Sequence, residues 1–364
     1  MSSPAALEQR LSELLTREEL SDIHIEVGQP IWIRESGGIH AVGTDKVSTE
    51  DLAVLLKKHE PQIGVKFDSL NERLGEKGDL DFAFAVSGRR MRANLFRANG
   101  NQLCLALRRI PGVPKDWGKL GLPVSLKPLF NRSKGLFLVT GPTGSGKSST
   151  LAAILEYLNT EFTRHILTIE DPIEYVFEQK KCLIQQRQIG REAPSFPLAL
   201  RAALREDPDV IMLGELRDME TIETALHAAN TGHLVLGTLH TPGAKQAVER
   251  IELVFPETAR RGAMQTLSSV LIGVLSQALI PCANGPGRVL AYELMLNNDQ
   301  TRSSIKESKL NQIANTMEVG RKDGQLLLNR HLVELIRTGV ISKNDGLYFS
   351  YDPLQLGKDL DHGR

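Results

Sequence analysis

The sequence predicts an α/β protein in which a doubly wound, mostly parallel sheet follows a smaller α+β region. Three observations predict this fold. Residues 1–112 contain short runs in which apolar and polar residues alternate, which is typical of an antiparallel sheet with one buried face. From about residue 124 onward, apolar strand-like runs alternate with helical patterns. A glycine-rich loop separates the first strand of this second region from its first helix.

The first region is predicted to open with a helix over residues 4–20, where leucines recur at helical spacing. A second helix is expected over residues 48–59, with Thr49 as its cap. The other elements are strands, predicted at residues 21–27, 31–34, 81–86, 91–96 and 103–110.

Proline and glycine then mark a boundary. Residues 111–123 are rich in both, which predicts a linker that could act as a hinge. After residue 297 the pattern becomes helical, and residues 352–364 are expected to form a polar, frayed tail. The predicted segments are therefore an N-terminal domain at 1–112, a linker at 113–123, a nucleotide-binding domain at 124–296 and a helical region at 297–364.

Composition excludes several classes of protein. The chain has 364 residues, of which 41% are hydrophobic, with 44 basic and 44 acidic residues and a formal net charge of +0. This balance gives no support for nucleic-acid binding, and none is expected. The three cysteines are isolated, so we expect neither a disulfide framework nor a zinc ribbon. The longest apolar stretch, residues 267–280, is too short to span a bilayer, and no direct membrane span is expected.

The glycine-rich loop matches the pattern G-x-x-x-x-G-K-S from Gly141 to Ser148. An apolar strand is predicted before it, over residues 136–140, and a helix after it, over residues 148–158. Strand, loop and helix in this order cradle phosphates with backbone N–H groups. Lys147 would reach the β- and γ-phosphates, and the Ser148 hydroxyl would ligate Mg²⁺. The expected ligands are therefore ATP and Mg²⁺.

Three further stretches carry polar residues at the ends of predicted strands. Residues 165–175 end in a carboxylate cluster that could activate water, although a solvated turn at Asp171 is an equal alternative. Residues 209–218 have the Walker B form, in which Glu215 would support the metal ion. Residues 231–241 join two histidines to a polar tip that could sense the γ-phosphate, with structural histidines as the alternative.

Phosphoryl transfer also needs positive charge on the developing transition state, often from a neighbouring subunit. The paired strands of the first region carry arginines that could supply it, and a solvated basic edge is the commoner fate of such residues. The candidates are Arg90, Arg92, Arg97, Arg108 and Arg109, with Arg201 and Arg205 before the Walker B stretch.

Together the stretches GPTGSGKSS, ILTIEDPIEYVF, ALREDPDVIMLGELRD and TGHLVLGTLHT resemble the Walker A, Asp box, Walker B and His box of the secretion ATPase superfamily. The likeness is strongest to its type IV pilus retraction branch, and it extends through SDIHIEVGQPIWIR and MRANLFRANG in the first region. The resemblance implies a RecA-like P-loop ATPase domain joined to an N-terminal PAS-like domain. It also implies a ring of six subunits in which each N-terminal domain packs on the neighbour's ATPase domain.

Carried over by position, the resemblance implies roles for individual residues. Catalysis would involve Lys147, Glu174 as general base, Glu215 and His240, while Ser148 and Glu215 would hold the metal. His233, Arg92, Arg97 and Arg108 are similar to family residues that reach the nucleotide. The loop residues that would bind the nucleotide are Gly141, Pro142, Thr143, Gly144, Ser145, Gly146, Lys147, Ser148 and Ser149.

The resemblance implies a cytoplasmic homo-hexameric motor, peripheral to the inner membrane at the pilus base. Its expected partners are an inner-membrane platform protein and a paralogous pilus ATPase. Residues 311–319 read NQIANTMEV where retraction enzymes carry an AIRNLIRE-like stretch. An accessory pilus ATPase, a motor of another pilus or secretion system, and an ATP-gated interaction subunit therefore stay open as alternatives.

Overall fold

A computed structural model describes residues 6–17, 19–35, 38–64, 66–110 and 112–361. The contacts divide the chain into two compact units. The first contains the residues up to Gly112 together with Pro172–Tyr175. The second contains Val113–Asp171 and the residues from Val176 onward. This division into two units does not test the boundaries of the four segments predicted from the sequence, which stay a prediction.

The first unit is built on a six-stranded antiparallel sheet. Its strands are β1 (Leu20–Glu26), β2 (Pro30–Glu35), β3 (Gly38–Lys46), β4 (Asp79–Val86), β5 (Arg89–Ala98) and β6 (Gln102–Arg109). They lie in the order β3-β2-β1-β6-β5-β4. The helices are α1 (Ala6–Leu14), α2 (Thr49–Lys58), α3 (Glu60–Ile63) and α4 (Leu70–Lys77). Alternate strand residues such as Ile31 and Ile33 are buried in one core with Leu7, Leu11 and Leu52 of the helices.

The second unit is built on a seven-stranded sheet. Its strands are β7 (Gly135–Thr140), β8 (His165–Glu170), β9 (Leu183–Gln188), β10 (Val210–Leu213), β11 (Leu234–Leu239), β12 (Leu271–Pro281) and β13 (Arg288–Leu296). Their order is β13-β12-β7-β11-β10-β8-β9, and all neighbours are parallel except the β12–β13 pair. Strands β7, β10 and β11 are buried along their whole length, as expected for the centre of a parallel sheet.

Ten α-helices are described in this unit, in agreement with the predicted α/β fold. They are α5 (Lys147–Glu161), α6 (Phe196–Ala203), α7 (Met219–Asn230), α8 (Ala244–Val254), α9 (Glu257–Val270), α10 (Asp299–Lys306), α11 (Ile313–Val319), α12 (Leu328–Arg337), α13 (Lys343–Phe349) and α14 (Pro353–Asp361). The apolar stretch 267–280 divides between the end of α9 and the buried strand β12. Among the helices described, each is too short or too polar to traverse a lipid bilayer.

Three local expectations need correction. The cap of α2 is Ser48 rather than Thr49, because Ser48 forms a reciprocal capping box with Asp51. The sequence pattern also missed β3, whose residues are almost all exposed and so show no alternation. The tail predicted as frayed forms α14, where Leu356 is buried, while residues 362–364 lie outside the described part of the chain.

The segment predicted as a linker packs within the second unit. The indole N–H of Trp117 donates to the carbonyl of Ala153 in α5 at 3.3 Å, and its ring makes edge contacts with Phe130 and Tyr157. Leu122 is buried as well. Pro111, where the predicted hinge begins, lies outside the described residues.

Candidate nucleotide-binding site

The candidate site lies where four parallel strands end. Register pairs Thr140 with Leu239, and Leu213 with both Gly237 and Ile169. Strands β7, β11, β10 and β8 therefore end at the same edge of the sheet. The segments that follow them are the glycine-rich loop, the His240 segment, the Glu215 segment and the first part of the Asp box. Ligands in open α/β sheets bind at this edge.

The loop between β7 and α5 has the backbone that its glycines predict. Gly141, Gly144 and Gly146 all have positive φ angles. A side chain on Gly141 would bring its Cβ within 2.4 Å of the backbone oxygen of Gln277, so only glycine fits there. No described side chain caps the first turn of α5. Its amide groups are therefore suited to an anionic ligand.

Lys147 begins α5 and lies across the loop. Its ammonium group donates to the carbonyl oxygens of Gly141 at 2.8 Å and Pro142 at 3.0 Å. The residue is only 8% exposed. A buried ammonium group held by neutral carbonyls carries a positive charge that an anionic ligand would stabilise further.

The hydroxyl groups around the loop fit a polar ligand. Ser148 is exposed at the start of α5. The hydroxyl oxygens of Thr140 and Ser145 are buried and have no hydrogen-bond partner among the described residues. Unsatisfied buried hydroxyls are rare in folded proteins, so these two support a ligand that supplies the missing partners. Pro142, Thr143 and Gly144 are exposed at the tip of the loop.

Glu215 follows β10 and lies at the centre of a charged cluster. Its Oε2 atom lies 2.6 Å from a guanidinium nitrogen of Arg217 and 3.4 Å from Nε2 of His240. Burial by itself would raise the pKa of Glu215, but the hydrogen bond and charge of Arg217, together with His240, lower this pKa below its ordinary value. The carboxylate is therefore ionised near neutral pH, as a metal-supporting group must be.

The donor set fits Mg²⁺ rather than a softer metal. Ser148 and Glu215 offer hard oxygen atoms, and Mg²⁺ is usually bound by one or two such groups together with substrate phosphates and water. Within the described ranges, no group of three or more histidine, cysteine, aspartate or glutamate side chains could hold a metal ion.

The carboxylates of the Asp box have different environments. Glu170 is buried at the end of β8, where it accepts hydrogen bonds from Thr168 at 2.6 Å and Gln186 at 3.1 Å. Asp171 is exposed. Glu174 lies in the segment Pro172–Tyr175 and thus belongs to the first unit, whereas Lys147, Glu215 and His240 belong to the second.

Arg92, Arg97 and Arg108, the arginines implied by the resemblance, lie in the first unit, and each has a local partner there, whereas the candidates Arg201 and Arg205 lie in the second unit. Arg92 lies 3.7 Å from the carboxylate of Asp81, and Arg97 donates to the carbonyl of Asn101 at 2.7 Å. Arg108 donates from Nε to Asp22 at 2.8 Å. Of the two ion pairs, that of Arg108 is the shorter, and it joins β6 to β1 within the same sheet.

The two histidines of the His box lie at opposite ends of β11. His240 follows the carboxyl end, beside Glu215. His233 precedes the amino end, where Nδ1 lies 3.1 Å from the carbonyl oxygen of Ala228. A strand of this length separates them by about 20 Å. The structure therefore does not bring His233 to the loop within its own unit, because the direction of the strand decides which end meets the ligand.

Two residues near the site were missed from the sequence. Arg217 holds Glu215, and its position two residues after the acid was the available signal. Gln277 donates from Nε2 to the hydroxyl of Thr150 in α5 at 2.9 Å, and its backbone oxygen faces Gly141. Gln277 interrupts an apolar run, and a polar residue buried in such a run was the signal for a hydrogen-bonding role.

Comparisons with known proteins agree with this geometry. A family model described as type II/IV secretion system protein matches residues 5–344. The type IV pilus retraction ATPase PilT of Pseudomonas aeruginosa is 40% identical over 343 residues, which are 92% of this chain and 96% of that protein. The type IV pilus ATPase PilU of the same bacterium is 34% identical over 340 residues, 93% of this chain and 87% of PilU. A crystal structure of the pilus retraction motor PilT with bound ADP matches with a TM-score of 0.87 and 41% identity, covering 97% of this chain and 99% of the other.

Proposed function

The chain belongs to the family of type II/IV secretion system proteins, and on that basis we propose that it is an ATP-hydrolysing motor that retracts a type IV pilus. The observation that carries the proposal is the meeting of Lys147, Glu215 and His240 at one sheet edge beside an uncapped glycine-rich loop. This arrangement supports binding of a nucleoside triphosphate. The similarity to PilT over nearly the whole chain supports the mechanical task.

The chain's own residues have distinct tasks in the proposed hydrolysis. The loop amides and Lys147 hold the β- and γ-phosphates, and Ser148 and Glu215 would hold Mg²⁺. When bound, Mg²⁺ neutralises negative charge on the phosphates. The oxygen of a water molecule attacks the γ-phosphorus, the bond to the ADP oxygen breaks, and Glu174 accepts the proton of the water. His240, whose Nε2 atom lies 3.4 Å from the Glu215 carboxylate, would sense the γ-phosphate.

The proposed assembly is a homo-hexameric ring in the cytoplasm, at the inner-membrane base of a pilus. Its proposed partners are an inner-membrane platform protein and a paralogous pilus ATPase. Arg92 and Arg97 are the proposed arginines that reach a nucleotide from the first unit, because their local partners are an exposed carboxylate and a backbone carbonyl. For Arg108 and His233, the local contacts with Asp22 and Ala228 favour structural roles over contacts with the nucleotide.

An accessory pilus ATPase is the second candidate, because of helix α11. The helix buries Ile313 and Met317 and exposes Val319, in the region where the sequence departs from the retraction pattern. An exposed helix face that differs from the retraction pattern could bind a different partner protein while the ATPase site stays intact.

The first experiment measures steady-state ATP hydrolysis by the wild-type protein and three variants. Lys147→Met keeps the buried stem but removes the charge, and we expect a loss in kcat/KM of about 100-fold or more, the usual scale for one electrostatic catalytic group. Glu174→Gln should lower kcat similarly while ATP binding, measured by calorimetry, is retained. Glu178→Gln is the control, because Glu178 is an exposed carboxylate in the following loop. Full activity of Glu174→Gln would contradict its assignment as the general base.

A second measurement separates retraction from accessory work. Cells in which this chain carries Lys147→Met should assemble pili but fail to retract them, as observed by fluorescence of labelled filaments. Normal retraction in these cells, with reduced force only, would favour the accessory role.

A further inference from the structure

The segment after His240 is anchored to two neighbouring residues of the β12–β13 pair. Ser276 donates from its hydroxyl to the carbonyl oxygen of Pro242 at 2.5 Å. Glu293, which is paired with Ser276 across the strands, accepts a hydrogen bond from the N–H of Ala244 at 2.8 Å. The backbone is thus held on both sides of Gly243, two to four residues beyond His240. These contacts restrict where His240 can lie.

Glu293 also contacts the C-terminal helices. Its second carboxylate oxygen accepts from the N–H of Leu328 at 3.4 Å, at the first residue of α12. Ala244 is likewise the first residue of α8, and neither helix has a side-chain cap of its own among the described residues. One buried carboxylate therefore caps two helices and is attracted to the positive ends of both dipoles. Burial raises the pKa of Glu293, and the two N–H groups partly offset that rise.

Tyr351 forms the second connection. Its hydroxyl lies 3.2 Å from the hydroxyl of Ser276. Since the single hydroxyl proton of Ser276 is used by Pro242, Tyr351 must be the donor in this bond. Its ring also covers Gly243, where an added Cβ would lie 3.1 Å from Cε2 of Tyr351. Tyr351 is 43% exposed, yet its hydroxyl is turned inward, and burial together with the charge of Glu293 raises its pKa to about 12.

We infer that Ser276, Glu293 and Tyr351 are positioning residues that hold His240 in its catalytic position and make that position depend on helices α12–α14. The inference rests on the proposed function. The C-terminal helices share one apolar core with the strands, which includes Leu328, Leu332 and Leu356 of the helices, Ala278 of β12 and Ala291 of β13. A partner that changed the packing of these helices would act on Glu293 and Tyr351 and thereby on the segment after His240. The helices would then control hydrolysis without touching the nucleotide.

The test is a double-mutant cycle on kcat with Tyr351→Phe and His240→Ala. Tyr351→Phe removes only the donated proton, and we expect kcat to fall about five-fold, the rate equivalent of one hydrogen bond, with KM for ATP little changed. Tyr348→Phe is the matched control, because Tyr348 is 82% exposed in the same segment and should keep the wild-type kcat. Tyr348→Phe should keep the wild-type melting temperature, and Tyr351→Phe should lower it by only about 2–4 °C, because one hydrogen bond contributes about 1 kcal/mol.

If Tyr351 acts through His240, Tyr351→Phe should have no further effect on kcat in a His240→Ala background. Ser276→Ala is the second variant, since it breaks the same connection from the strand side and should behave in the same way. If the reductions of kcat in the two single variants multiply in the double variant, the inference is wrong, while the proposed function stands. The same holds if Tyr351→Phe and Tyr348→Phe have equal kcat values. Absence of ATP turnover in the wild-type protein would overturn the proposed function and this inference with it.

Discussion

The ion pair between Arg108 and Asp22 joins an exposed guanidinium group to a largely buried carboxylate. The Arg108 side chain is 73% exposed, while that of Asp22 is 12% exposed. Burial opposes ionisation of Asp22, but the hydrogen bonds from Arg108 and Ser21 and the charge of Arg108 lower its pKa below 3.8. A carboxylate with a lowered pKa stabilises the fold above the unfolded value, and this stability is lost as the pH falls through the folded value.

We therefore predict that Arg108→Ala destabilises the first unit at pH 7 by about 0.5–1 kcal/mol, the scale of a partly exposed ion pair. The difference should shrink as the pH falls from 3.8, the ordinary pKa of an aspartate, through the lower pKa of Asp22 in the folded protein. Urea unfolding followed by the fluorescence of Trp32, in a Trp117→Phe background, measures this unit, because these are the two tryptophans of the chain. In an Asp22→Asn protein the same substitution should have no effect at either pH. A loss of kcat without loss of stability would instead give Arg108 a place at the nucleotide.

The glycine-rich loop is the element whose shape depends most on a single residue type. Gly141 has φ +142°, and an added Cβ would also lie 2.6 Å from the Ser145 hydroxyl oxygen. Gly144 has φ +81°, and nothing lies within 4 Å of the corresponding position. Both positions thus have a backbone conformation that is unfavourable for residues other than glycine, but only Gly141 also lacks space for a side chain.

We predict that Gly141→Ala lowers the melting temperature of the second unit and weakens ATP binding more than Gly144→Ala does. Both substitutions cost about 1–2 kcal/mol for the left-handed backbone, and only the first also displaces the backbone at Gln277. Thermal unfolding and calorimetric ATP titration of both variants provide the comparison. If both variants lose the same melting temperature and the same ATP affinity, the backbone at Gln277 moves away from the added methyl group without a cost in free energy.

At the scale of the whole molecule, the predicted catalytic groups are divided between two units. Lys147, Glu215 and His240 belong to the second unit, while Glu174 and the arginines of β5 belong to the first. The predicted catalytic groups are therefore supplied by segments of both units.

If the arginines act between subunits, mixing two inactive variants in one ring should restore part of the ATPase activity. Subunits with Lys147→Met keep Arg92, and subunits with Arg92→Ala keep Lys147. In a mixed ring some sites would combine an intact Lys147 with a neighbour's intact Arg92, and we expect up to about a quarter of the wild-type ATPase rate for random mixing. Assays across mixing ratios, with each variant alone as control, measure this. No recovery in rings proven to be mixed would place Arg92 in the same subunit as its nucleotide, or outside the site.

The sequence by itself determined the α/β fold, the order of most elements and the loop from Gly141 to Ser148, because periodicity and loop chemistry act within a few residues. Only the tertiary structure decided that Glu170 is buried and bonded, that His233 and His240 lie at opposite ends of one strand, and that Pro172–Tyr175 belongs to the first unit. It alone revealed that Glu293 caps two helices, 49 and 35 residues away along the chain. Contacts of this kind depend on strand direction and on packing between distant segments, which no local pattern encodes.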